Sequence, residues 1–263
     1  VCSSDLCGMR PTRQSRSRST IRGQPVSRSQ PDVISSDCMN AAIIVAAGTG
    51  SRFGSDVPKQ FLEVAGRPIV AHAISTFERA TSIDSVIVVV SEDRVGYATD
   101  FLSKNNFTKV TAVAVGGDTR ALSVRSGAEQ LPEGAQIVLI HDGARPLLNL
   151  ADIDAVINAA RSKGAACLVA PVTETIKRVE NGIVDATVDR APLRRALTPQ
   201  AFRRDVFEAM MESGDSGLAT TDECMLAERL GFEVAAVEGD SANIKVTHPH
   251  DLLTVEAFLR SNG

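Results

Sequence analysis

From residue 39 onward, short runs of consecutive apolar residues alternate with longer segments whose apolar residues recur at helical spacing, and this alternation restricts the fold most. The apolar runs predict strands at 42–47, 85–90, 109–115, 136–141 and 166–171. The intervening segments predict helices at 68–80, 97–105, 119–130 and 152–163. Strands that are apolar on both faces are typical of a parallel sheet between two helical layers. The sequence therefore predicts an α/β fold: a single Rossmann-like domain with a mostly parallel twisted sheet covered by helices on both faces.

Residues 173–190 break this rhythm. They contain two short strands of alternating character around Asn181-Gly182, a residue pair typical of two-residue hairpin turns. We therefore predict a protruding β-hairpin arm, which serves either as a lid or in dimerisation. Beyond the arm, the pattern predicts helices near 202–212, at 222–230 and from 249, and a strand at 233–237.

Residues 1–38 have a different composition, with six Arg, nine Ser and no Lys or Glu. Few of these residues are apolar, so the segment cannot bury enough surface to offset the entropy of ordering, and we predict that it is disordered. It is either an upstream extension of the reading frame, with the protein beginning at Met39, or an organellar transit leader, or a tag. A nucleic-acid-binding arm is a further alternative, although its basic residues are sparse. Residues 39–263 are predicted to form the domain, including the arm at 173–190.

Composition excludes several functional classes. The chain has 263 residues and a net charge of -4, which argues against binding nucleic acid through a basic surface. No run of eighteen apolar residues is present, so no membrane span is expected. The five cysteines form no CxxC pair, which excludes a zinc ribbon or a dithiol motif.

The loop after the first strand, residues 46–60, has the character of a phosphate site. Gly48, Gly50 and Gly54 permit close approach of the backbone, and successive N–H groups in such a turn can hold an anion. Arg52 and Lys59 add two positive charges. The loop lacks the G-K-[ST] ending of a P-loop and the spacing of the Rossmann fingerprint. The alternative is a glycine turn with a purely structural role.

Two further loops carry polar groups at strand ends. Gly116-Gly117-Asp118-Thr119-Arg120 follows the third strand as a glycine turn, and Asp118 could cap the next helix. Asp142 follows the fourth strand and is a candidate Mg²⁺ ligand, although it could instead pair with Arg145. His141 is interpreted as a packing residue at a strand end rather than a base.

The motifs AAGTGSRFG, PKQF, GGDTRALSV, HDGARP, TETIKR, TVDRAPLRRALTPQ, TTDE and NIKVTHPHDL occur in this order from about Ala41 to the C-terminus. In this respect the chain resembles the 2-C-methyl-D-erythritol 4-phosphate cytidylyltransferases. The resemblance implies transfer of a cytidylyl group from CTP to 2-C-methyl-D-erythritol 4-phosphate, with release of pyrophosphate and no covalent intermediate. It also implies Mg²⁺ or another divalent cation and a homodimer formed through the arm. Nucleic acid and membranes are not expected partners. The expected location is the bacterial cytoplasm, or the plastid if residues 1–38 are a transit leader.

The resemblance also implies a role for each matching residue. The catalytic cations are Arg52, Lys59 and Lys245. The nucleotide-binding residues are Ala46, Ala47, Gly48, Gly50, Gly117, Asp118 and Ser123. The segment 116–120 is expected to recognise the cytosine base through backbone groups and short polar side chains. The residues that bind the polyol phosphate are Asp142, Arg145, Thr175, Arg190 and Thr221, with Asp142 also the metal ligand. Lys177 is interpreted either as a further site residue or as a solvated strand residue.

Three alternatives remain at this stage. The nearest is a cytidylyltransferase for another polyol phosphate, such as ribitol 5-phosphate. A sugar-1-phosphate nucleotidyltransferase is disfavoured by the GGDTR and LTPQ segments. A nucleotide-binding regulator without turnover is disfavoured because Arg52, Lys59 and Asp142 are all present.

Overall fold

A computed structural model describes residues 39–48, 57–213 and 222–261. The predicted leader at 1–38 lies outside the described residues, as do Gly50, Arg52, Gly54 and Thr221. Among the described residues, no helix is both long enough and apolar enough to cross a membrane.

The described strands and helices follow one another along the chain in an α/β order. The strands are β1 Met39–Ala46, β2 Glu63–Val64, β3 Arg67–Pro68, β4 Ser85–Val90, β5 Val110–Val115, β6 Ala135–Asp142, β7 Ala165–Pro171, β8 Ile176–Glu180, β9 Ile183–Val188, β10 Arg194–Arg203 and β11 Val234–Glu238. The α-helices are α1 Ile69–Arg79, α2 Val95–Lys104, α3 Arg120–Ala128, α4 Leu150–Lys163, α5 Arg204–Glu212, α6 Glu223–Arg229 and α7 Pro249–Ser261. Short 3₁₀ turns at Lys59–Phe61 and Glu92–Arg94 precede β2 and α2.

Seven of the described strands form one sheet in the order β11-β7-β10-β6-β1-β4-β5. The pairs β1–β4, β1–β6, β4–β5 and β7–β11 are parallel, whereas β10 is antiparallel to both of its neighbours, β6 and β7. Helices α1, α2 and α4 cover one face of the sheet, and α3, α5 and α6 cover the other. This arrangement confirms the predicted α/β fold with a mostly parallel sheet and helices on both faces.

Strand β10 corrects the sequence prediction. We expected a helix near 202–212, but Phe202 and Arg203 still belong to β10, and the helix begins at Arg204. The sequence did not predict this strand because it contains Pro199, and proline is rare in central strands. It lies where the pairing with β7 is interrupted, between Ala196 and Gln200. The other predicted helices and strands are present, with ends that differ by at most three residues.

The predicted hairpin is also present. Strands β8 and β9 pair with each other in a separate two-stranded sheet. Asn181 and Gly182 both have positive φ, 51° and 79°, as a two-residue type I′ turn requires. The arm exposes the apolar side chains of Val179, Ile183 and Val184.

Candidate active site

The carboxyl ends of the parallel strands β1, β4, β5 and β6 meet at one edge of the sheet, where α/β proteins bind ligands. A cavity of about 750 Å³ lies at this edge. The predicted site residues that line it are Ala47, Gly48, Lys59, Gly117, Asp118, Ser123, Asp142 and Lys245. Ala46, the last residue of β1, is buried and does not belong to the lining. The structure therefore brings together residues from widely separated parts of the sequence.

The loop between β5 and α3 forms one wall of the cavity. A methyl group at Gly116 would overlap the side chains of Ala47 and Ser123, so only glycine allows this close approach. Ser123 is buried, and its hydroxyl donates to the carbonyl oxygen of Thr119 at 3.0 Å. The side chain of Thr119 accepts a hydrogen bond from the N–H of Leu122 and caps α3. The alternative in which Asp118 caps this helix is therefore wrong, and Asp118 stands in the cavity wall.

Asp142, at the end of β6, is the charged centre of the site. Its Oδ1 lies 3.0 Å from Arg120 Nε, and its Oδ2 lies 2.9 Å from Lys245 Nζ and 3.5 Å from Arg145 Nε. Burial alone would raise the pKa of Asp142, but Arg120, Lys245 and Arg145 outweigh it and hold the pKa far below its ordinary value. The carboxylate therefore stays ionised. The alternative pairing of Asp142 with Arg145 is present, as one of three such contacts.

A layer of buried polar groups behind Asp142 fixes its orientation. Thr198 Oγ1 accepts a hydrogen bond from the N–H of Asp142 at 3.1 Å and contacts His141 Nδ1 at 3.0 Å. Arg145 donates to the carbonyl oxygen of Asn243 at 2.8 Å, and Asn243 donates to that of Thr198 at 2.8 Å. Because β10 is antiparallel, its LTPQ segment reaches the edge at which the parallel strands end.

His141 is a packing residue, as predicted. It is fully buried, packs against the ring of Phe77 and contacts the carbonyl oxygen of Arg145 through Nε2 at 3.1 Å. Burial lowers its pKa to about 4. The ring is therefore neutral near pH 7, and both of its nitrogens face protein groups rather than a ligand.

The sequence placed Arg120 only within the segment 116–120 that the resemblance assigns to base recognition, and it indicated no role for Glu223. Arg120 Nη1 lies 2.5 Å from both carboxylate oxygens of Glu223, at the start of α6. Both residues fall within quoted motifs, GGDTR and TTDE, but 103 positions separate them. One local signal existed: Arg120 occupies the first turn of a helix, where the helix dipole disfavours positive charge. A cation at that position indicates compensation by nearby anions.

Two predicted substrate residues lie elsewhere in this chain. Thr175 immediately precedes β8, and Arg190 follows β9 and donates to the carbonyl oxygen of Thr173. Both are exposed at the base of the arm, whereas Arg145 is buried behind Asp142. Lys177 is an exposed arm residue whose Nζ donates to Thr187 Oγ1 at 2.6 Å. The predicted roles of Gly50, Arg52 and Thr221 concern residues outside the described ranges.

The carboxylates of the described residues could bind a metal ion only together with ligands from a bound nucleotide. No group of three or more His, Cys, Asp or Glu side chains within the described ranges could hold a metal ion. An ion bound only by protein groups therefore does not fit these residues. Mg²⁺ commonly takes one or two carboxylates and completes its shell with phosphates and water. Asp142 could supply one such ligand if a nucleotide supplies the phosphates, and an ion there would compete with the cations that contact this carboxylate.

The mostly parallel sheet, the glycine-lined pocket and the cation-rich carboxyl edge fit the class of nucleotidyltransferases. The chain belongs to the 2-C-methyl-D-erythritol 4-phosphate cytidylyltransferase family, whose family model matches residues 40–261. A relative of that name from Desulforamulus reducens is 42% identical over 222 residues, covering 83% of this chain and 95% of the relative. Another from Geotalea uraniireducens is 39% identical, covering 84% and 96%.

Solved structures agree with this assignment. The crystal structure of 4-diphosphocytidyl-2C-methyl-D-erythritol synthase from Anaerococcus prevotii aligns with a TM-score of 0.74 and 30% identity, covering 85% of this chain and 99% of that chain. The 2-C-methyl-D-erythritol 4-phosphate cytidylyltransferase from Thermus thermophilus aligns with a TM-score of 0.68 and 30% identity, covering 84% and 100%.

Proposed function

We propose that this chain transfers a cytidylyl group from CTP to 2-C-methyl-D-erythritol 4-phosphate, forming 4-diphosphocytidyl-2-C-methyl-D-erythritol and pyrophosphate. Family membership supports the reaction and both substrates. The observation that carries the proposal is the cluster of Arg120, Arg145 and Lys245 around Asp142, beside a glycine-lined pocket. In the proposed arrangement, this cluster would face both the nucleotide and a charged, hydroxyl-rich acceptor.

The chemistry requires positioning and positive charge rather than a base. The nucleophile is a phosphate oxygen of the acceptor, and a phosphate monoester has a second pKa of about 6, so it is largely dianionic near neutrality. Direct in-line attack on the α-phosphate brings two anions together, and the enzyme must offset their repulsion. The neutral, buried His141 fits a mechanism that needs no general base.

Lys59 and Lys245 both line the cavity and supply positive charge to it. We assign Lys59, with Arg52, to the charge that develops on the α-phosphate and the leaving pyrophosphate. Lys245 is held at Asp142, where it can orient the acceptor phosphate. Ala47, Gly48 and Gly117 would approach the nucleotide through their backbone.

We propose Mg²⁺, or another divalent cation, as the cofactor. Asp142 would hold it together with oxygens of the triphosphate. When bound, the ion neutralises triphosphate charge and orients the leaving group.

We further propose that the enzyme is a homodimer in which each arm completes the partner's acceptor pocket. Thr175 and Arg190 are exposed at the base of the arm rather than in the cavity lining of their own chain. The exposed side chains of Val179, Ile183 and Val184 provide an apolar surface for a second copy. Arg190 would then grip the partner's acceptor phosphate through charge-assisted hydrogen bonds. The named relatives are bacterial proteins, and a cytoplasmic location remains our prediction.

Pyrophosphate release tests the reaction directly. The chain is incubated with Mg²⁺ and CTP, ATP, GTP or UTP, and with either 2-C-methyl-D-erythritol 4-phosphate or ribitol 5-phosphate. We expect release only with CTP and the methylerythritol ester. Release with the ribitol ester alone would contradict the assignment of the acceptor pocket, and CTP binding without release would contradict the enzymatic function.

A further inference from the structure

Glu223 is a buried carboxylate that the mechanism described above does not use. It begins α6 and is 7% exposed. Gln200 Oε1, on β10, accepts hydrogen bonds from the backbone N–H groups of Glu223 and Cys224 at 3.0 and 3.2 Å. Asp222 caps the same helix by accepting from the N–H of Met225. The start of α6 is thus fixed to the sheet, and the Glu223 carboxylate is fixed with it.

The Glu223 carboxylate reaches the active site through one guanidinium. Arg120 Nη1 contacts both of its oxygens at 2.5 Å, while Arg120 Nε contacts Asp142 Oδ1 at 3.0 Å. Arg120 and Asp142 line the cavity, whereas Glu223 lies behind them. A continuous polar chain therefore runs from Gln200 through Glu223 and Arg120 to Asp142.

The charges explain why a second carboxylate is needed. Without Glu223, the three cations Arg120, Arg145 and Lys245 would share Asp142 as their common anionic partner. Glu223 provides Arg120 with its own anion and offsets the unfavourable position of this cation in the first turn of α3. One carboxylate oxygen of Asp142 is then directed to Arg120, and the other faces Lys245 and Arg145.

We propose that Glu223 is a positioning residue for the transfer reaction. It fixes the Arg120 guanidinium, and through it the orientation of the Asp142 carboxylate, without touching either substrate. This role rests on the proposed function. Because small displacements of a reacting group reduce rates strongly, we expect Glu223→Gln to lower kcat roughly 10- to 100-fold while the protein still unfolds cooperatively. Glu228→Gln, an exposed position on the same helix, is the matched control and should keep the wild-type kcat.

A double-mutant cycle separates this role from a merely structural one. Arg120→Lys, Glu223→Gln and the double variant are assayed for pyrophosphate release from CTP and 2-C-methyl-D-erythritol 4-phosphate. If Glu223 acts through Arg120, Glu223→Gln costs little once Arg120 has been replaced. Losses that multiply in the double variant would overturn the proposal.

Glu223→Asp provides a second test that does not depend on the folding of the glutamine variant. It keeps the charge but shortens the reach to Arg120, so kcat should fall in the wild-type background and hardly change in the Arg120→Lys background. An undiminished kcat for Glu223→Asp would overturn the positioning role alone. A wild-type chain that releases no pyrophosphate would overturn both this role and the proposed function.

Discussion

The surroundings of Asp142 and the arm formed by β8 and β9 differ in how their charged and apolar side chains are buried. Asp142 is buried and meets three cations of its own chain. On the arm, Arg178 pairs with Asp185 in solvent, and apolar side chains such as Ile183 are exposed. Burial makes the first set of interactions strong and costly to disturb, whereas solvent screening makes the second set weak. The comparison shows that the cations around Asp142 come from one chain, and it fits our proposal that a partner covers the arm.

An Asp→Asn substitution in each region should produce the largest difference in the free energy of unfolding. Asp142→Asn leaves three cations around a neutral amide, so we expect the free energy of unfolding to fall by about 3–5 kcal/mol. Asp185→Asn removes an exposed ion pair on the arm and should cost at most about 1 kcal/mol. Urea denaturation of both variants measures the difference. Equal losses would show that burial does not distinguish the two regions.

Replacement of Lys59 tests the positive charge assigned to the nucleotide side. Lys59→Ala should lower kcat by about 10²–10³, because one preorganised donor to a developing negative charge is lost. Steady-state rates of pyrophosphate release give kcat, with Lys163→Ala, an exposed lysine paired with Glu233, as the control. A wild-type kcat for Lys59→Ala would remove this residue from catalysis.

The free energy of unfolding should decrease at acidic pH because of the buried His141. Burial lowers its pKa to about 4, whereas the unfolded chain binds this proton near pH 6.5. Unfolding therefore takes up a proton between these values, and stability decreases as the pH falls from 6.5 to 4, by about 3 kcal/mol. Urea denaturation across this range should show a shallower decrease for His141→Asn than for the wild-type chain. Identical slopes would mean that His141 titrates normally in the folded protein.

A charge placed on the apolar surface of the arm tests whether this surface contacts a second copy of the chain. Ile183 and Leu253 are both 71% exposed, but only Ile183 lies on the arm. If the proposed dimer forms, Ile183→Asp should dissociate it in sedimentation velocity. The KM for the acceptor should rise roughly tenfold, because the partner's Arg190 is lost. Leu253→Asp should change neither quantity. A dimer that survives Ile183→Asp would contradict the proposed interface.

The parts of the molecule that the sequence predicts are those encoded locally. Apolar runs reveal the parallel strands, and Asn181-Gly182 reveals the hairpin, because neighbouring residues set both patterns. Strand β10 was missed because Pro199 and two arginines at its start conceal a strand that is central in the sheet. Asp142 could be predicted from its place at the end of a strand.

The partners of Asp142 are less accessible to sequence reasoning. The contact between Arg120 and Glu223 joins two helices that are far apart in sequence, and a local pattern does not encode such a contact. Thr198 and Gln200 become site residues because β10 runs antiparallel beside β6, and Asn243 reaches Thr198 from the segment after β11. Tertiary folding, rather than periodicity, creates this layer.

A mixed-dimer assay tests most directly the claim that one chain builds the nucleotide side and its partner's arm completes the acceptor pocket. Lys59→Ala and Arg190→Ala chains are co-expressed and assayed at a low acceptor concentration, where each variant alone is nearly inactive. If Arg190 acts across the dimer, each mixed dimer contains one intact site, and activity returns to roughly a quarter of the wild-type value. Activity no greater than that of the separate variants would contradict the account and place Arg190 in its own chain's site.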